Sequence, residues 1–387
     1  MAIVKLGDIC EKIGSGATPR GGKESYCAVG VSLIRSQNVL DFSFSTNGLV
    51  FINNEQARKL GNVEVQAGDI LLNITGDSVA RACEVDATFL PARVNQHVAI
   101  IRGNTNHVLN KYILYFLQWK KNYLLQLASA GATRNALTKG MIEQLEINLP
   151  TLENQRKVVE TLDSLQKKIN LNQKVNDNLL AQAQTLYKQF FPYSVQDDLP
   201  DGWRIGTVGE IIEIHDSKRI PLSGADRAKM EKKIYPYYGA ASLMDFVDNY
   251  IFDGKYLLLG EDGTVVDDAG YPILQYVWGQ FWVNNHAHIL TGRLGYDVES
   301  LYMLFKQTPV KSIVTGAVQP KISQANLRSV QVVIPPEHNL REYNNLVEPL
   351  FSLFRAYEKD CKTLTALRDT LLPKLMSGEI DVSAVQL

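Results

Sequence analysis

Cysteine is scarce in this chain, and long hydrophobic runs are missing. The four cysteines, at positions 10, 27, 83 and 361, have the spacing of neither a metal site nor a disulfide framework. No run approaches the roughly 18 apolar residues of a membrane span, and no apolar stretch of signal-peptide length follows Lys5. We therefore expect a protein of the reducing cytoplasm without metal ligands, disulfides or membrane segments.

The chain also lacks an excess of charge of either sign. Its 40 lysines and arginines face 41 aspartates and glutamates, for a formal net charge of −1. Residues 1–152 contain 15 basic and 12 acidic side chains, and residues 192–336 contain 13 and 17. The counts give no global basic signature, so any surface that binds an anion must be local.

Motifs of nucleotide-binding and methylating enzymes are absent as well. A phosphate-binding loop needs a glycine five residues before Gly-Lys and a serine or threonine after it. Ala17 occupies the first position before Gly22-Lys23, and Asn249 occupies it before Gly254-Lys255. The sequence contains no Asn-Pro-Pro-Tyr adenine-methylation motif and no G-x-G-x-x-G after a strand-like run.

A few residues offer isolated catalytic or metal-binding chemistry. His286 and His288 have no HExxH or CxxC motif nearby, so structural or base-contacting roles are favoured over a metal pair. Glu261-Asp262 resembles a nuclease carboxylate pair, although a polar turn before Gly263 is the simpler explanation. His97 is too isolated to be assigned as a catalytic base.

What the chain does contain is a long amphipathic helix, predicted from Glu153 to about Phe191. Its apolar positions alternate in steps of four and three, the repeat of a helix that packs along another helix. At about 1.5 Å per residue the stretch would span roughly 58 Å, which is too long for a lone helix in a compact domain. The seam comprises Val158, Leu162, Leu165, Ile169, Asn172, Asn176, Leu179, Ala183, Leu186 and Phe190.

A second copy of this seam lies near the C-terminus. Adding 185 to each position gives residues that are again mostly apolar, which indicates an internal duplication. Asn172 and Asn176 lie in mid-seam, where a buried asparagine can fix the register of paired helices. The second seam comprises Tyr343, Val347, Leu350, Phe354, Tyr357, Cys361, Leu364, Arg368, Leu371 and Leu375.

The duplication extends upstream of both helices. Val94–His97 matches Val283–His286 at an offset of 189 residues. Between Gly7 and Gly68 the offset falls from 202 to 186, so the first copy carries 16 additional residues there. The first copy mixes strand-forming runs at 31–35, 70–74 and 97–101 with helical periodicity at 111–127. We predict an α+β fold with a mixed domain (1–152), a long helix (153–191), a linker and second mixed domain (192–336), a second long helix (337–378) and a tail (379–387).

Polar and basic side chains recur in the loops of both copies. Arginine and lysine pair with guanine O6 and N7, and asparagine and glutamine pair with adenine N6 and N7. Singly, such residues are more often solvated or turn-forming, but Asn95–His97 matches Asn284–His286, and Arg134 falls near Gln319. The candidate DNA-contacting residues are Arg35, Gln37, Asn38, Asn73, Thr75, Arg81, Asn95, Gln96, Thr133, Arg134 and Lys139 in the first domain, and Lys218, Arg219, Tyr238, Asn284, Asn285, Gln319 and Lys321 in the second.

Several of these stretches carry a resemblance to a known family. Together with the duplication, they make essentially the whole chain resemble the specificity subunit of a type I restriction–modification system. Leu199–Trp203 resembles the usual opening of a recognition domain, which the first copy lacks. The other markers are residues 68–76, 94–97, 132–139, 282–286, 319–322 and 371–379.

The resemblance implies two target recognition domains separated by two long helices packed as an antiparallel coiled coil with pseudo-twofold symmetry. Each domain would read one half of a split, asymmetric double-stranded DNA target in the major groove. The subunit would be non-catalytic and hold no cofactor of its own. Its partners would be two adenine-N6 methyltransferase subunits, which bind S-adenosylmethionine, and motor-nuclease subunits, which use ATP and Mg²⁺.

Two other functions remain open from the residues alone. A duplicated protein-interaction scaffold, whose helices dimerise and whose domains bind peptides, would explain the seam and the acidic balance but not the paired loop residues. A nuclease that uses Glu261 and Asp262 has less support, and its activity would need only Mg²⁺.

Overall fold

The first domain alternates short strands with short helices, as the sequence predicts. The structure, a computed structural model, describes residues 2–19, 21–129, 135–316 and 318–383. The strands of this domain are β1 (Ala2–Lys5), β2 (Cys10–Ser15), β3 (Val31–Ile34), β4 (Val50–Ile52), β5 (Glu64–Val65), β6 (Ile70–Asn73), β7 (Ala82–Glu84), β8 (Ala92–Val94), β9 (Val98–Gly103) and β10 (Glu146–Leu149). Its helices are α1 (Leu6–Ile9), α2 (Asn54–Lys59), α3 (Asn110–Trp119), α4 (Lys121–Ser129) and α5 (Lys139–Glu143).

The helical periodicity at residues 111–127 belongs to two helices. α3 ends at Trp119, and α4 begins at Lys121. α3 buries every residue from Tyr112 to Gln118, whereas α4 buries only Leu124 and Ala128. The break separates a helix that is enclosed by the core from one that has a solvent face, a difference that the apolar pattern alone does not show.

The second half repeats this layout between two long helices. The first long helix, α6, is Leu152–Phe190, and the second, α11, is Glu337–Ser377. The strands between them are β11 (Arg204–Thr207), β12 (Ile212–Ile214), β13 (Tyr235–Tyr238), β14 (Leu243–Val247), β15 (Phe252–Gly260), β16 (Leu274–Val283), β17 (Ala287–Gly292) and β18 (Gln331–Ile334). The short helices are α7 (Val208–Ile211), α8 (Gly224–Ala228), α9 (Val298–Phe305) and α10 (Gln324–Ser329).

The chain forms two units that do not follow its order. Unit 1 is Met1–Leu171 with Asp360–Leu387, and unit 2 is Asn172–Lys359. Each unit therefore contains one mixed domain and a part of both long helices. Unit 1 is assembled from both ends of the chain, whereas unit 2 is one continuous stretch.

Unit 1 has two four-stranded sheets, ordered β2–β9–β6–β7 and β4–β3–β8–β5, and a β1–β10 pair. β3 and β8 are parallel, and the other paired strands are antiparallel. Ile70, Leu72 and Ile101 face the core that contains α3, whereas Leu71 and Ile100 face the core of the second sheet. Because both faces of β6 and β9 are covered, these strands read as continuous apolar runs.

Unit 2 joins its strands into one sheet, ordered β12–β17–β15–β16–β13–β14, beside a β11–β18 pair. Only the β13–β16 pairing is parallel among these described strands. Leu257, Leu259 and Leu290 face one core cluster, and Leu258 and Ile289 face the other. β15 and β17 thus occupy the positions that β6 and β9 hold in unit 1.

The two long helices pack together along the seam that the heptad pattern predicts. In unit 1, Arg368 Nη1 donates to Gln166 Oε1 at 2.5 Å, and Cys361 Sγ lies 3.7 Å from the carbonyl oxygen of Ile169. A later position on α6 therefore meets an earlier position on α11, so the helices are antiparallel here. Val158 and Leu162 share a core with the last turns of α11.

The same relation holds within unit 2. Asn176 Nδ2 donates to Glu358 Oε1 at 3.1 Å, and Tyr343 Oη donates to the carbonyl oxygen of Ala183 at 3.2 Å. Asn176 is buried in the seam, as is the neighbouring Asn172. In the ranges that the structure describes, neither these helices nor any other is long and apolar enough to cross a membrane.

Candidate nucleic-acid interface

In unit 1, three separate segments meet at the end of β6. The backbone N–H of Ile74 donates to the carbonyl oxygen of His97 at 3.0 Å, and that of Leu137 donates to Ile74 at 2.8 Å. Thr75 also forms a β-bridge with Ala136. The loop after β6, the turn before β9 and the segment before α5 are therefore joined into one backbone frame.

Unit 2 builds the same frame at the end of β15. The backbone N–H of Glu261 donates to the carbonyl oxygen of His286 at 2.8 Å, and that of Ile322 donates to Glu261 at 2.8 Å. Asp262 forms a β-bridge with Lys321. The two sequence copies therefore form the same backbone hydrogen bonds. In each copy, the corresponding three segments are joined at the end of the corresponding strand.

A turn held by a buried asparagine crosses each frame. We call Asn95–His97 polar turn 1 and Asn284–His286 polar turn 2. Asn95 Oδ1 accepts the backbone N–H of His97 at 3.0 Å, and Asn284 Oδ1 accepts that of His286 at 2.8 Å. An asparagine side chain that bonds the backbone two residues ahead favours such a turn. The two asparagines are buried and the two histidines are half-buried, whereas the middle residue of each turn, Gln96 or Asn285, is exposed.

The histidine of each turn is held by the second residue after β6 or β15, the strand that ends in each frame. His97 Nδ1 lies 2.5 Å from Thr75 Oγ1, and His286 Nδ1 is bonded to Asp262 Oδ1. In unit 1 the Thr18 hydroxyl also donates to Gln96 Oε1. The two frames therefore share a backbone but differ in side-chain charge, because a hydroxyl in one copy is replaced by a carboxylate in the other.

Behind polar turn 2 lies a buried network of ion pairs. His288 Nδ1 is 2.6 Å from Asp216 Oδ2, and His288 Nε2 is 2.8 Å from the carbonyl oxygen of Ile322. Each ring nitrogen of His288 therefore faces an oxygen that can accept a hydrogen bond from it. Burial alone would raise the pKa of Asp216, but the hydrogen bond and charge of His288 hold it below its usual value.

Glu261 extends this network toward the surface. Its carboxylate lies 2.6 Å from Arg219 Nη1 and 3.1 Å from Lys321 Nζ. Burial would raise the pKa of Glu261, but the hydrogen bond from Arg219, together with the charge of His288, lowers it. The network thereby holds Lys321 at the rim of the frame.

This geometry bears on the isolated chemistry that the sequence offers. Ligand atoms of Asp216, Glu261 and His288 lie within 4.8 Å of one another, the spacing of a metal cluster. Two cationic side chains already neutralise these carboxylates, however, and His288 is fully buried with both nitrogens occupied. The arrangement supports a structural role for His288 and gives no support to a nuclease pair at Glu261-Asp262.

The predicted DNA-contacting residues divide by exposure. The buried side chains cannot reach a DNA surface, so we propose direct DNA contacts only for the exposed and half-buried residues. Exposed are Gln37, Gln96, Lys139, Lys218, Asn285, Gln319 and Lys321; half-buried are Arg35, Thr75, Arg81, Arg219 and Tyr238; buried are Asn38, Asn73, Asn95 and Asn284. Thr133 and Arg134 lie outside the described residues.

In the first domain, the polar cluster after β3 supports a loop. Asn38 Nδ2 donates to the carbonyl oxygens of Ser45 and Asn47, at 2.9 and 3.1 Å. Arg35 donates to Gly48, and Gln37 donates to Asn47 at 3.1 Å. Asn73 holds the same cluster from below, through the carbonyl oxygens of residues 36 and 39. These bonds fix residues 45–48, which lie within the stretch where the first copy is longer.

Two features of the site escape the sequence patterns. The buried network joins residues from four distant segments, and the hydrogen bond from Gln324 to Asp216 spans 108 positions. Met244 lies beside polar turn 2, with its sulfur 3.3 Å from Asn284 Nδ2. The internal repeat was the one signal in the sequence that could have located part of this site. An alignment of the two copies pairs Thr75 with Asp262 and so places the Asp262 carboxylate in the second frame.

Known proteins resemble the chain along its whole length. The family model described as the type I restriction modification DNA specificity domain matches residues 1–181 and again 200–359. The type I restriction enzyme MjaIX specificity subunit of Methanocaldococcus jannaschii is 23% identical over 309 residues, which cover 71% of this chain and 70% of that protein. The putative MjaX specificity subunit of the same organism is 19% identical over 403 residues, which cover 98% and 93%.

A solved structure shares the fold. The crystal structure of the type I restriction–modification system S subunit from M. genitalium matches with a TM-score of 0.58 and 16% sequence identity, covering 97% of this chain and 96% of that chain. Each stretch that matches the family model contains one polar turn and the strand at whose end the frame forms, β6 in the first stretch and β15 in the second.

Proposed function

Since the chain belongs to the type I restriction–modification DNA specificity family, we propose that it selects the double-stranded DNA target of such a system, with each domain reading one half of a split site. The observation that carries this proposal is the duplicated frame. Both copies present an exposed amide from the middle of a polar turn, Gln96 or Asn285, on the same hydrogen-bonded backbone. Amide side chains suit the N6 and N7 edge of adenine.

The side chains around the two frames differ, so the two half-sites should differ. The second frame adds Gln319 and Lys321, both exposed, and a lysine suits guanine O6 and N7. The first frame has Lys139 at the start of α5, where it pairs with Glu143 at 3.4 Å. Two unlike readers on one chain would recognise an asymmetric target with an unread spacer.

The catalytic steps belong to partner subunits in this proposal. Two adenine-N6 methyltransferase subunits with S-adenosylmethionine would modify the target, and motor-nuclease subunits with ATP and Mg²⁺ would cleave unmodified DNA. The net charge of −1 fits such a division, because the methyltransferase subunits would supply most phosphate contacts. Tight binding of the isolated chain to its site at physiological salt would contradict this part of the proposal.

The test uses the complex with its methyltransferase subunits. Methylated adenines are sequenced after reaction with a random DNA library, for the wild type and for Asn285→Ala. The variant should relax one position in one half-site, at a cost of about 1–3 kcal/mol of binding free energy. Asn249→Ala, at an exposed asparagine outside the frame, is the matched control and should leave the target unchanged.

Two results would count against the proposal. Equal changes in both half-sites for Asn285→Ala would contradict two separate readers. A library without any enriched sequence, from a complex that assembles normally, would favour a scaffold without DNA readout.

A further inference from the structure

An apolar rim lies beside polar turn 2. Leu243 and Met244, at the start of β14, keep 44% and 54% of their surface exposed. Val318, next to Gln319 in the loop before α10, is 99% exposed. β14 lies at one edge of the six-stranded sheet in unit 2, where it pairs with β13 on one side only. Apolar side chains that remain open to solvent beside a polar turn are candidates for contact with another molecule.

Met244 is held against the turn by its surroundings. Its sulfur lies 3.3 Å from Asn284 Nδ2. A Cβ atom on Gly239 would lie only 2.4 Å from that sulfur, so the thioether packs over backbone that a side chain would block. The pairing of β13 with β14 shifts register between Tyr237 and Tyr238, and such bulges redirect the side chains near them.

The apolar rim is continuous with the polar side chains of the second frame. Polar turn 2 touches Met244 through Asn284 on one side. On its other side His286 bonds to Asp262, which forms the β-bridge with Lys321. Met244 therefore contacts the turn whose middle residue is the exposed Asn285, and the same turn is joined through Asp262 to the backbone of Lys321.

This combination matches the edge of an A·T base pair. In the major groove, adenine presents N6 and N7, and its thymine partner presents O4 and a C5-methyl group. An amide can pair with the first two atoms, and an apolar side chain can cover the methyl group. A methionine suits that contact because its thioether is polarisable and adapts its shape.

We infer that Met244 contacts a thymine methyl group in the half-site read by the second domain. The inference rests on the proposed function and adds to it the recognition of one chemical group, the C5-methyl group of a thymine. Specificity at this position would come from excluding water around the methyl group, in addition to the hydrogen bonds that Asn285 would form with the adenine.

The test removes the methyl group from the DNA and leaves the protein unaltered. After the target of the wild-type methyltransferase complex has been sequenced, each thymine of the second half-site is replaced in turn by deoxyuridine. Deoxyuridine pairs as thymine does but lacks the C5-methyl group. One replacement should weaken binding roughly fourfold, as expected when one methyl group is no longer buried.

Variants then connect that methyl group to Met244. The Met244→Ala complex should bind the thymine and deoxyuridine duplexes equally well. Ile205→Ala removes an apolar side chain that is 47% exposed on β11, away from the frame, and should keep the fourfold response. Replacing thymines of the first half-site should affect wild type and Met244→Ala to the same extent.

Three results would overturn the inference. No deoxyuridine replacement in the second half-site weakens binding, or Met244→Ala retains the wild-type response, or Met244→Ala loses its methyltransferase subunits, which would make the rim a protein contact. The proposed function fails separately, because a complex without a split methylated target fails at the sequencing step, before any thymine is replaced.

Discussion

Asn284 and Asn285 are neighbours in sequence, but they contribute in different ways. Asn284 is 4% exposed and folds the turn, whereas Asn285 is exposed at its middle. The sequence identifies both as candidate DNA contacts because the chemistry of an amide is the same in either place. Only the fold decides which amide bonds the backbone and which faces solvent. Residue types and their repeat thus predicted where the frames lie but not the role of each residue.

The buried network at Asp216 makes the stability of unit 2 depend on pH. The pKa values of Asp216 and Glu261 are lowered from ordinary values of 3.8 and 4.5, so the unfolded chain takes up these protons first as the pH falls. Stability from both carboxylates is therefore present at neutral pH and is lost progressively below about pH 4.5. The protection factors of the β17 amides, which correct the exchange rates for their intrinsic dependence on pH, should therefore fall over that range.

The variant Asp216→Asn tests this assignment. At pH 7 it leaves the buried His288 without its carboxylate, which should destabilise unit 2 by roughly 3 kcal/mol. The difference from wild type should shrink as the pH approaches 3.5, and exchange of β9 amides in unit 1 serves as the internal control. A difference that stays constant from pH 7 to 3.5 would show that the effect of the substitution is not electrostatic.

Among the elements, the long helices were the most predictable. A seven-residue repeat over many turns predicted the two long helices, α6 and α11, because the face that a long helix buries recurs at a fixed spacing in the sequence. The separation of α3 from α4 was missed, because it depends on what surrounds each segment. Short strands near the frames were located by composition, whereas their pairing order depends on contacts between distant residues.

A cross-link between the helices would test their register. Cys361 Sγ faces the carbonyl oxygen of Ile169 at 3.7 Å within unit 1. The variant Ile169→Cys should therefore form a disulfide with Cys361 under mild oxidation, detected by mass spectrometry of the unreduced protein. Leu171→Cys, at a position that is 55% exposed, should not form it. A linkage from position 171 but not from 169 would contradict the register.

At the scale of the whole molecule, the duplication was the most informative signal. It predicted two domains and two helices before any strand had been paired. α6 runs unbroken past Leu171 and α11 past Lys359, so each belongs to both units. We expect these helices to set the spacer between the two half-sites.

Adding one heptad to both helices tests this expectation. Duplicating Leu165–Leu171 in α6 and Lys362–Arg368 in α11 keeps the seams in register. The insertion adds roughly 10.5 Å of helix, so the spacer should grow by about three base pairs at about 3.4 Å each. Sequencing of methylated adenines should show unchanged half-sites with the longer spacer.

Two further insertion variants serve as comparisons in that experiment. Three heptads in each helix add roughly 32 Å, close to a full DNA turn of about 34 Å, which brings the second half-site back to nearly the same face. Lengthening α6 alone puts the seams out of register and should prevent assembly of a methylating complex. Methylation at the original spacer by a lengthened chain would rule out the helices as the determinant of spacing.

The division of the chain into units reverses the usual order of folding on the ribosome. Domains normally finish folding in the order of their synthesis. Here the residues that close the core of unit 1, among them Leu372, Leu375, Met376 and Val382, are translated after the whole of unit 2. A nonsense codon at Asp360 would therefore damage the domain that is translated first and leave Asn172–Lys359 whole. Proteolysis of that product should degrade the N-terminal domain and spare the one made after it.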